Sequence, residues 1–382
     1  MSSSTPDATQ VLIRKTALNP VHRKLGAKMV DFNGWDMPVE YPAGLIAEHQ
    51  AVRNGVGIFD VSHMGDIRIR GRQALQAVQH ISMNDASKLA IGQCQYSAML
   101  YPQGTFVDDV IIHRFGESDF FFVINAGTRE KDIAWVRENT RSFDCTVEHL
   151  SDDFTQIAIQ GPKGANLLQK LTDADLSKVK FYWFTRGTVC GLKDTLIART
   201  GYTAEDGFEI YVPTDEPTSA RVWNEVMEAG KEFKVLPCGL GARNTLRLEG
   251  KLALYGHEIS DSITVWEAGL DRWLKMDKGE FIGRRSLERQ MADGVGRTLV
   301  GLEMIERGIG RDGYKVMDES GKQIGNITSG SYAPFLKKNI ALAYVPPSHA
   351  KLDTVVGVEI RGQAVKAKVV PTPFYKRPKK SS

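Results

Sequence analysis

The sequence is poor in cysteine: its four (Cys94, Cys145, Cys190, Cys238) lie far apart in 382 residues, with no C-x-x-C pair. That spacing argues against a disulfide framework and a structural zinc site, and makes reduced thiols in the cytoplasm the default. Long apolar runs are also missing, and none approaches the roughly 18 to 20 residues that span a bilayer. The opening MSSSTPDATQ lacks the apolar segment of a signal peptide and has an acid, but no arginine, where a mitochondrial presequence would be Arg-rich. It reads as a disordered tail. A marked charge excess is absent too: 49 Lys and Arg face 46 Asp and Glu, a formal net charge of +3. The one basic cluster, YKRPKK at residues 375–380, reads as a solvated end, so neither nucleic acid nor membrane is implied as a partner.

Nucleotide signatures fail on inspection. Gly239 and Gly241 begin a G-x-G pattern, but Asn244 stands where the third glycine is needed. GPKGANLL at residues 161–168 follows a strand pattern and opens a helix pattern, yet G-x-x-x-x-G-K-[ST] is absent. The eight histidines show no metal-ligand spacing, and His63 and His257 stand alone, as packed or hydrogen-bonded histidines do. No metal, flavin or nicotinamide site is expected.

What is present is a mixture of short strands and helices. Asn19-Pro20 predicts a helix start, residues 45–53 a second helix, and residues 130–139 and 164–171 two more. Alternation around Ile67 and Ile69 and around Tyr96, Ala98 and Leu100 predicts half-buried strands, and FFFVIN at 120–125 a fully buried one. Strands are also expected at 156–159, near Leu196 and at 208–212. Val222, Trp223, Val226 and Met227 then form the apolar stripe of a core helix. No internal repeat of fixed period stands out. After a charged linker at residues 283–296 the composition shifts to six short strands parted by Gly, Asp and Pro turns, the pattern of a small barrel or sandwich.

Against this background some polar residues sit in apolar company. Asp108 and Asp109 interrupt GTFVDDVIIHRF, and on an alternating strand they point to opposite faces. One can then be solvated while the other faces an interior cavity, although a turn at the strand start would hold both as well. In RTGYTAEDGFEI, Glu209 lies between Phe208 and Ile210 and is turned away from the face that buries them. If covered, it can accept two parallel hydrogen bonds from an amidine-like N–H pair. Glu205 and Asp206 read as turn residues. Arg243, Arg247 and Glu249 suit either a ligand site or an internal ion-pair network. The residues alone define a ligand pocket of unspecified kind.

Seven segments carry a resemblance: LGAKMVDFNGWDMPVEY, GIFDVSHMG, GTFVDDVI, RTGYTAEDGFEI, GARNTLRLEGKLALYG, GNITSGSYAPFLKKNIALAYV and PTPFYKR. In this order, from about residue 16 to 377, they closely resemble the T-protein (aminomethyltransferase) family of the glycine cleavage system. The resemblance implies an α+β, three-domain cloverleaf around a folate-binding channel, with a folate-binding region at 16–284, a C-terminal small β-barrel at 285–377, and flexible tails at 1–15 and 378–382. It implies transfer of the one-carbon unit from the aminomethyl-dihydrolipoyl arm of H-protein to tetrahydrofolate, with release of ammonia. Asp109 then becomes the catalytic acid, able to accept a proton from folate N5 and stabilise the cation that develops beside it. Glu209 becomes the acceptor for the pterin 2-amino and N3–H pair. Met64, Tyr96, Asn125, Tyr202, Arg243 and Tyr375 match family positions around the folate.

Two positions depart from the family pattern. Ala204 stands where GYTGEDG has glycine, at a cost of roughly 1 kcal/mol if the position needs positive φ. Val265 replaces a common proline. Two rival readings share the fold: another tetrahydrofolate-dependent enzyme such as a demethylase, and a non-catalytic folate-binding protein. The missing flavin-domain G-x-G-x-x-G speaks against the dimethylglycine and sarcosine dehydrogenase relatives of the first and leaves a lone demethylase open, and the second is expected to lose the acid at Asp109.

Overall fold

The computed structural model describes residues 13–378, so the tail expectations for residues 1–12 and 379–382 lie outside the described residues. Two units of the same design come first. In one, an antiparallel five-stranded sheet runs in the order Cys94–Leu100, Phe106–Gly116, Asp119–Ile124, Gly65–Arg70, Thr146–His149. The helices Ala74–Ile81 and Arg129–Thr140 cover one face, burying Val78, Ile81, Ile133 and Val136 against Ile67, Ile112 and Phe122. In the other, a six-stranded sheet runs Phe184–Val189, Leu192–Ala198, Gly207–Pro213, Phe154–Gln160, Gly57–Asp60, Leu236–Pro237, with only the last pair parallel. The helix Glu216–Ala229 packs on it, and the Val222, Trp223 and Val226 stripe is fully buried there.

The two units repeat one element order: strand, helix, 3₁₀ turn, three strands, helix, strand. Asp85 caps its turn by accepting from the Ser87 N–H at 3.0 Å, and Asp175 does the same with Ser177 at 3.1 Å. Gly71 and Gly161 both take positive φ, 140° and 129°, between strand and helix. A Cβ on Gly161 would lie 2.4 Å from the Gly55 carbonyl oxygen, so this glycine serves a close chain crossing and not a phosphate loop.

Six strands, Thr298–Met304, Lys338–Val345, Gln323–Ala333, Lys315–Met317, Val355–Ile360 and Gln363–Val370, close into the expected barrel. The charged stretch before it is not a linker. Arg284–Asp293 forms a helix between positive-φ Gly283 and Gly294, with Leu287 fully buried in the interface core beside Phe106, Val265 and Phe281. A single apolar anchor in a charged run was too narrow a stripe to read as a helix. The other expected elements are present, although the Gly164–Gln169 helix stops two residues short of the sequence expectation, and the hairpin Lys28–Phe32/Trp35–Glu40 and the strands Thr146–His149, Phe184–Val189 and Leu236–Pro237 were not expected.

Candidate active site

A cavity of about 410 Å³ opens between the two repeats, the segments linking them to the barrel, and the chain that leaves it. Asp109 stands in its wall. On the Phe106–Gly116 strand it pairs with Ala98 and its neighbour Asp108 with Met99, so pleating sends Asp108 into the buried core and Asp109 toward the cavity. Asn125, at the end of the Asp119–Ile124 strand, ties the two acids together. Its Nδ2 donates to Asp108 Oδ1 and to Asp109 Oδ1, both at 2.8 Å. The Tyr96 hydroxyl donates to the other Asp109 oxygen at 3.1 Å. Burial, and then the neighbouring Asp108 carboxylate, push Asp109 up to about 7 despite these hydrogen bonds. It is thus an acid poised to exchange a proton at neutral pH.

The second repeat supplies the opposite wall. Glu209, paired with Ala158 and Ala198 in the middle of its sheet, lines the cavity and accepts a hydrogen bond from Thr200 through Oε2. Burial raises its pKa, opposed by the Thr200 bond and by Arg243. Arg243, on the Leu240–Glu249 helix, holds its guanidinium 4.5 Å over the Tyr202 ring. Tyr202 is fixed in turn by donating to the Ala253 carbonyl. The turn leading into this strand contains Ala204 at φ +62°, the left-handed backbone that glycine would adopt without strain. Val265 opens a short helix behind Thr264, whose side chain and that of Glu267 form a capping box; at this first position proline is also accommodated.

Seven of the eight expected residues line this one cavity: Met64, Tyr96, Asp109, Asn125, Tyr202, Glu209 and Arg243. Tyr375 does not. Its ring lies 3.9 Å above the Arg53 guanidinium and its hydroxyl bonds Glu205, while Thr372 and Pro373 from the same segment reach the cavity. A buried cation has drawn the aromatic ring away from the cavity. Glu205 and Asp206 are likewise more than turn residues. Glu205 accepts from Arg53 at 3.0 Å, and Asp206 receives both ends of the Arg199 fork at 2.9 and 2.6 Å. Of the helix charges, Arg247 pairs with buried Glu258 at 2.8 Å and Glu249 with Arg53 at 2.9 Å. Arg243 has no carboxylate within ion-pair distance among the described residues.

Several lining residues were missed. Tyr182 and Trp273 add aromatic surface, with Trp273 packed against Tyr96 at 5.5 Å between ring centres. Gln156 faces the cavity and is anchored by donating to buried Asp66 at 2.6 Å. The aromatic run FYWF at 181–184 was the available signal for Tyr182. Nothing local distinguishes Gln156 from other strand residues. Among the described residues no group of His, Cys, Asp and Glu is arranged to hold a metal ion.

Fold and site together define an α+β enzyme whose candidate site is a cavity walled by two copies of a strand-and-helix unit. Comparison with known proteins gives its family. Residues 18–278 match the GCVT N-terminal domain and residues 297–376 the glycine cleavage T-protein C-terminal barrel domain. The chain is 74% identical over 372 residues to an aminomethyltransferase of Koribacter versatilis, covering 97% of this chain and 98% of the relative. It is 67% identical to one from Acidobacterium capsulatum with both chains fully covered. The crystal structure of the glycine cleavage system aminomethyltransferase T from Bartonella henselae superposes with a TM-score of 0.89 at 32% identity, covering 95% of this chain and 98% of that one. The chain belongs to the glycine cleavage T-protein family of aminomethyltransferases, and it is a transferase.

Proposed function

We propose that the protein transfers the one-carbon unit of an S-aminomethyldihydrolipoyl arm, carried by H-protein, to tetrahydrofolate, releasing ammonia and the reduced arm. The observation that carries this reading is Asp109: a cavity acid held by two donors, Asn125 and Tyr96, with its pKa raised to about 7. Such a group accepts a proton from an attacking amine and stabilises the cation that develops at the transferred carbon. Across the cavity Glu209 offers a planar acceptor to an amidine-like N–H pair, as in a pterin, and Thr200 keeps it oriented. Tyr96, Tyr182, Tyr202 and Trp273 suit the faces of a flat heterocycle. Arg243, charged and without a carboxylate within ion-pair distance among the described residues, suits the anionic tail of a folate.

The four free cysteines fit a reducing compartment, and the cytoplasm is the proposed location. The test is product formation from aminomethylated lipoyl H-protein with and without tetrahydrofolate. Folate-dependent release of ammonia together with methylenetetrahydrofolate is expected. Tight folate binding without turnover on this substrate would overturn the reading.

A further inference from the structure

The strand Cys94–Leu100, which carries Tyr96, stands at the edge of its sheet, so one side of its backbone has no neighbouring strand in that sheet. A turn takes the place of a strand there. The Met83 N–H donates to the Ala98 carbonyl at 2.9 Å, and Asn84 Nδ2 donates to the Tyr96 carbonyl at 2.8 Å. The Asn84 N–H also reaches the Ser97 hydroxyl at 3.1 Å. Ser82, Met83 and Asn84 are all buried, so the carbonyls of the turn need partners inside the protein.

One side chain supplies them. Lys278 Nζ donates to the carbonyls of Gln79 at 2.7 Å, of Ser82, and of Asn84 at 3.0 Å. Gln79 lies in the last turn of the Ala74–Ile81 helix, where carbonyls lack partners within the helix and carry the negative end of its dipole. An ammonium has three donors, so three carbonyls match it one to one. Burial pushes the Lys278 pKa down to about 7, with Asp85 opposing, and the neutral amine would still keep two of the three bonds.

Lys278 belongs to the same segment that packs on the Tyr96 ring. The Lys275 N–H donates to the Met83 carbonyl at 3.1 Å and the Ile282 N–H to the His80 carbonyl at 3.0 Å, while Trp273 lies against Tyr96 and Arg272 reaches the cavity. The path from Lys278 to the cavity acid is continuous: Lys278 to the Asn84 carbonyl, the Asn84 amide to the Tyr96 carbonyl, and the Tyr96 hydroxyl to Asp109 at 3.1 Å.

We propose that Lys278 is a positioning residue for Tyr96, fastening the turn at Ser82–Asn84 and its own segment to the outer edge of the strand so that the Tyr96 hydroxyl stays on Asp109. The proposal rests on the transferase reading above and extends it to a side chain that does not line the cavity.

The test uses Lys278→Met, which keeps the length of the side chain and removes its donors, together with Tyr96→Phe and the double variant, all in the full-length protein. Lys278→Met should lower kcat roughly 10- to 100-fold, the scale expected when a catalytic group is misplaced by about an ångström. It should also move the acid limb of the pH–rate profile to higher pH, because the Tyr96 hydrogen bond holds the Asp109 pKa down. Tyr96→Phe should move the limb the same way. Adding Lys278→Met to Tyr96→Phe should then change kcat by less than about 3-fold, since both act through one hydroxyl.

A lysine that only stabilised the fold would lower the Tm and leave the acid limb in place, and that result would overturn the proposal. So would effects of the two substitutions that multiply in the double variant. Carbon-13 NMR of protein labelled at its aspartate carboxyls, with Asp109→Asn to assign the signal, reads the same shift without substrate. Asp109 should titrate at higher pH in Lys278→Met than in the parent, and an unchanged titration would overturn the proposal as well. If Lys278→Met fails to fold, Asn84→Ala decides, because it cuts the path between turn and strand: its acid limb should also move to higher pH, and an unmoved limb would break the chain. Lack of folate-dependent turnover in the parent would instead sink the transferase reading and leave the NMR test standing.

Discussion

In the proposed reaction, Asp109 is expected to pull activity and stability in opposite directions. There Asp109 accepts a proton and must be ionised, so kcat should fall as the pH drops through about 7. Asp109→Asn should lose turnover by roughly 10²- to 10⁴-fold, the usual weight of a positioned proton acceptor, and near-normal turnover would remove it from the mechanism. The same variant should be more stable than the parent. An acid whose pKa rises on folding from 3.8 to about 7 binds an extra proton in the native state between those values. Stability is therefore lost as pH rises through that window. The Tm advantage of Asn should grow from about pH 4 to about pH 7 and level off above it; calorimetry showing no advantage at pH 8 would contradict the burial argument. Glu209→Ala should weaken tetrahydrofolate binding by roughly 10- to 100-fold, since hydrogen bonds to a charged group contribute about 1.5 to 3 kcal/mol. An unchanged Kd by titration calorimetry would defeat the assignment. Ala204→Gly should relieve a left-handed alanine and raise stability by up to about 1 kcal/mol, part of the gain being offset by glycine's chain entropy. A lower Tm would show that the turn is held by side-chain contact and not by φ.

At the scale of elements, apolar patterning found most of the strands, because the side-chain period of two or a continuous buried run survives in the sequence, but it passed over the hairpin Lys28–Phe32 and Trp35–Glu40 and the strands Thr146–His149, Phe184–Val189 and Leu236–Pro237. The same reading passed over two further features. The helix Arg284–Asp293 exposes most of its surface and buries Leu287, and one anchor in ten residues leaves no readable stripe. Leu287→Ala should cost about 2 to 5 kcal/mol as a core truncation, measured by chemical denaturation, whereas a residue in a true linker would cost less than about 0.5 kcal/mol. The duplication was also missed. It survives as matched punctuation, Gly71 with Gly161 and Asp85-x-Ser87-Lys88 with Asp175-x-Ser177-Lys178, at one constant offset. Side chains between these marks diverged, since strand and helix faces need only hydrophobic volume in the right period.

For the whole molecule, the duplication explains how one cavity acquires two chemically different walls. The first repeat contributes Tyr96, Asp109 and Asn125, and the second contributes Tyr182, Tyr202 and Glu209. Arg243, Lys251 and Arg272 line the same cavity with no ion-pair partner within 4.0 Å among the described residues, and the chain carries a net charge of +3. Docking of an acidic carrier protein should therefore weaken with salt, seen as a KM for H-protein that rises with ionic strength; a salt-insensitive KM would exclude electrostatic steering. Sequence by itself determined the barrel, most of the strands and helices, and, through family resemblance, seven residues that the fold gathers at one cavity. Periodicity and turn chemistry are local properties, and a chain records them locally. Only the tertiary structure decided which charges face one another. Arg247, Glu249 and Glu205 went into buried ion pairs and Arg243 into the cavity. Tyr375 was drawn over Arg53. The physical reason is that a buried charge is held by whichever partner crosses its path in space, and that partner can come from anywhere along the chain.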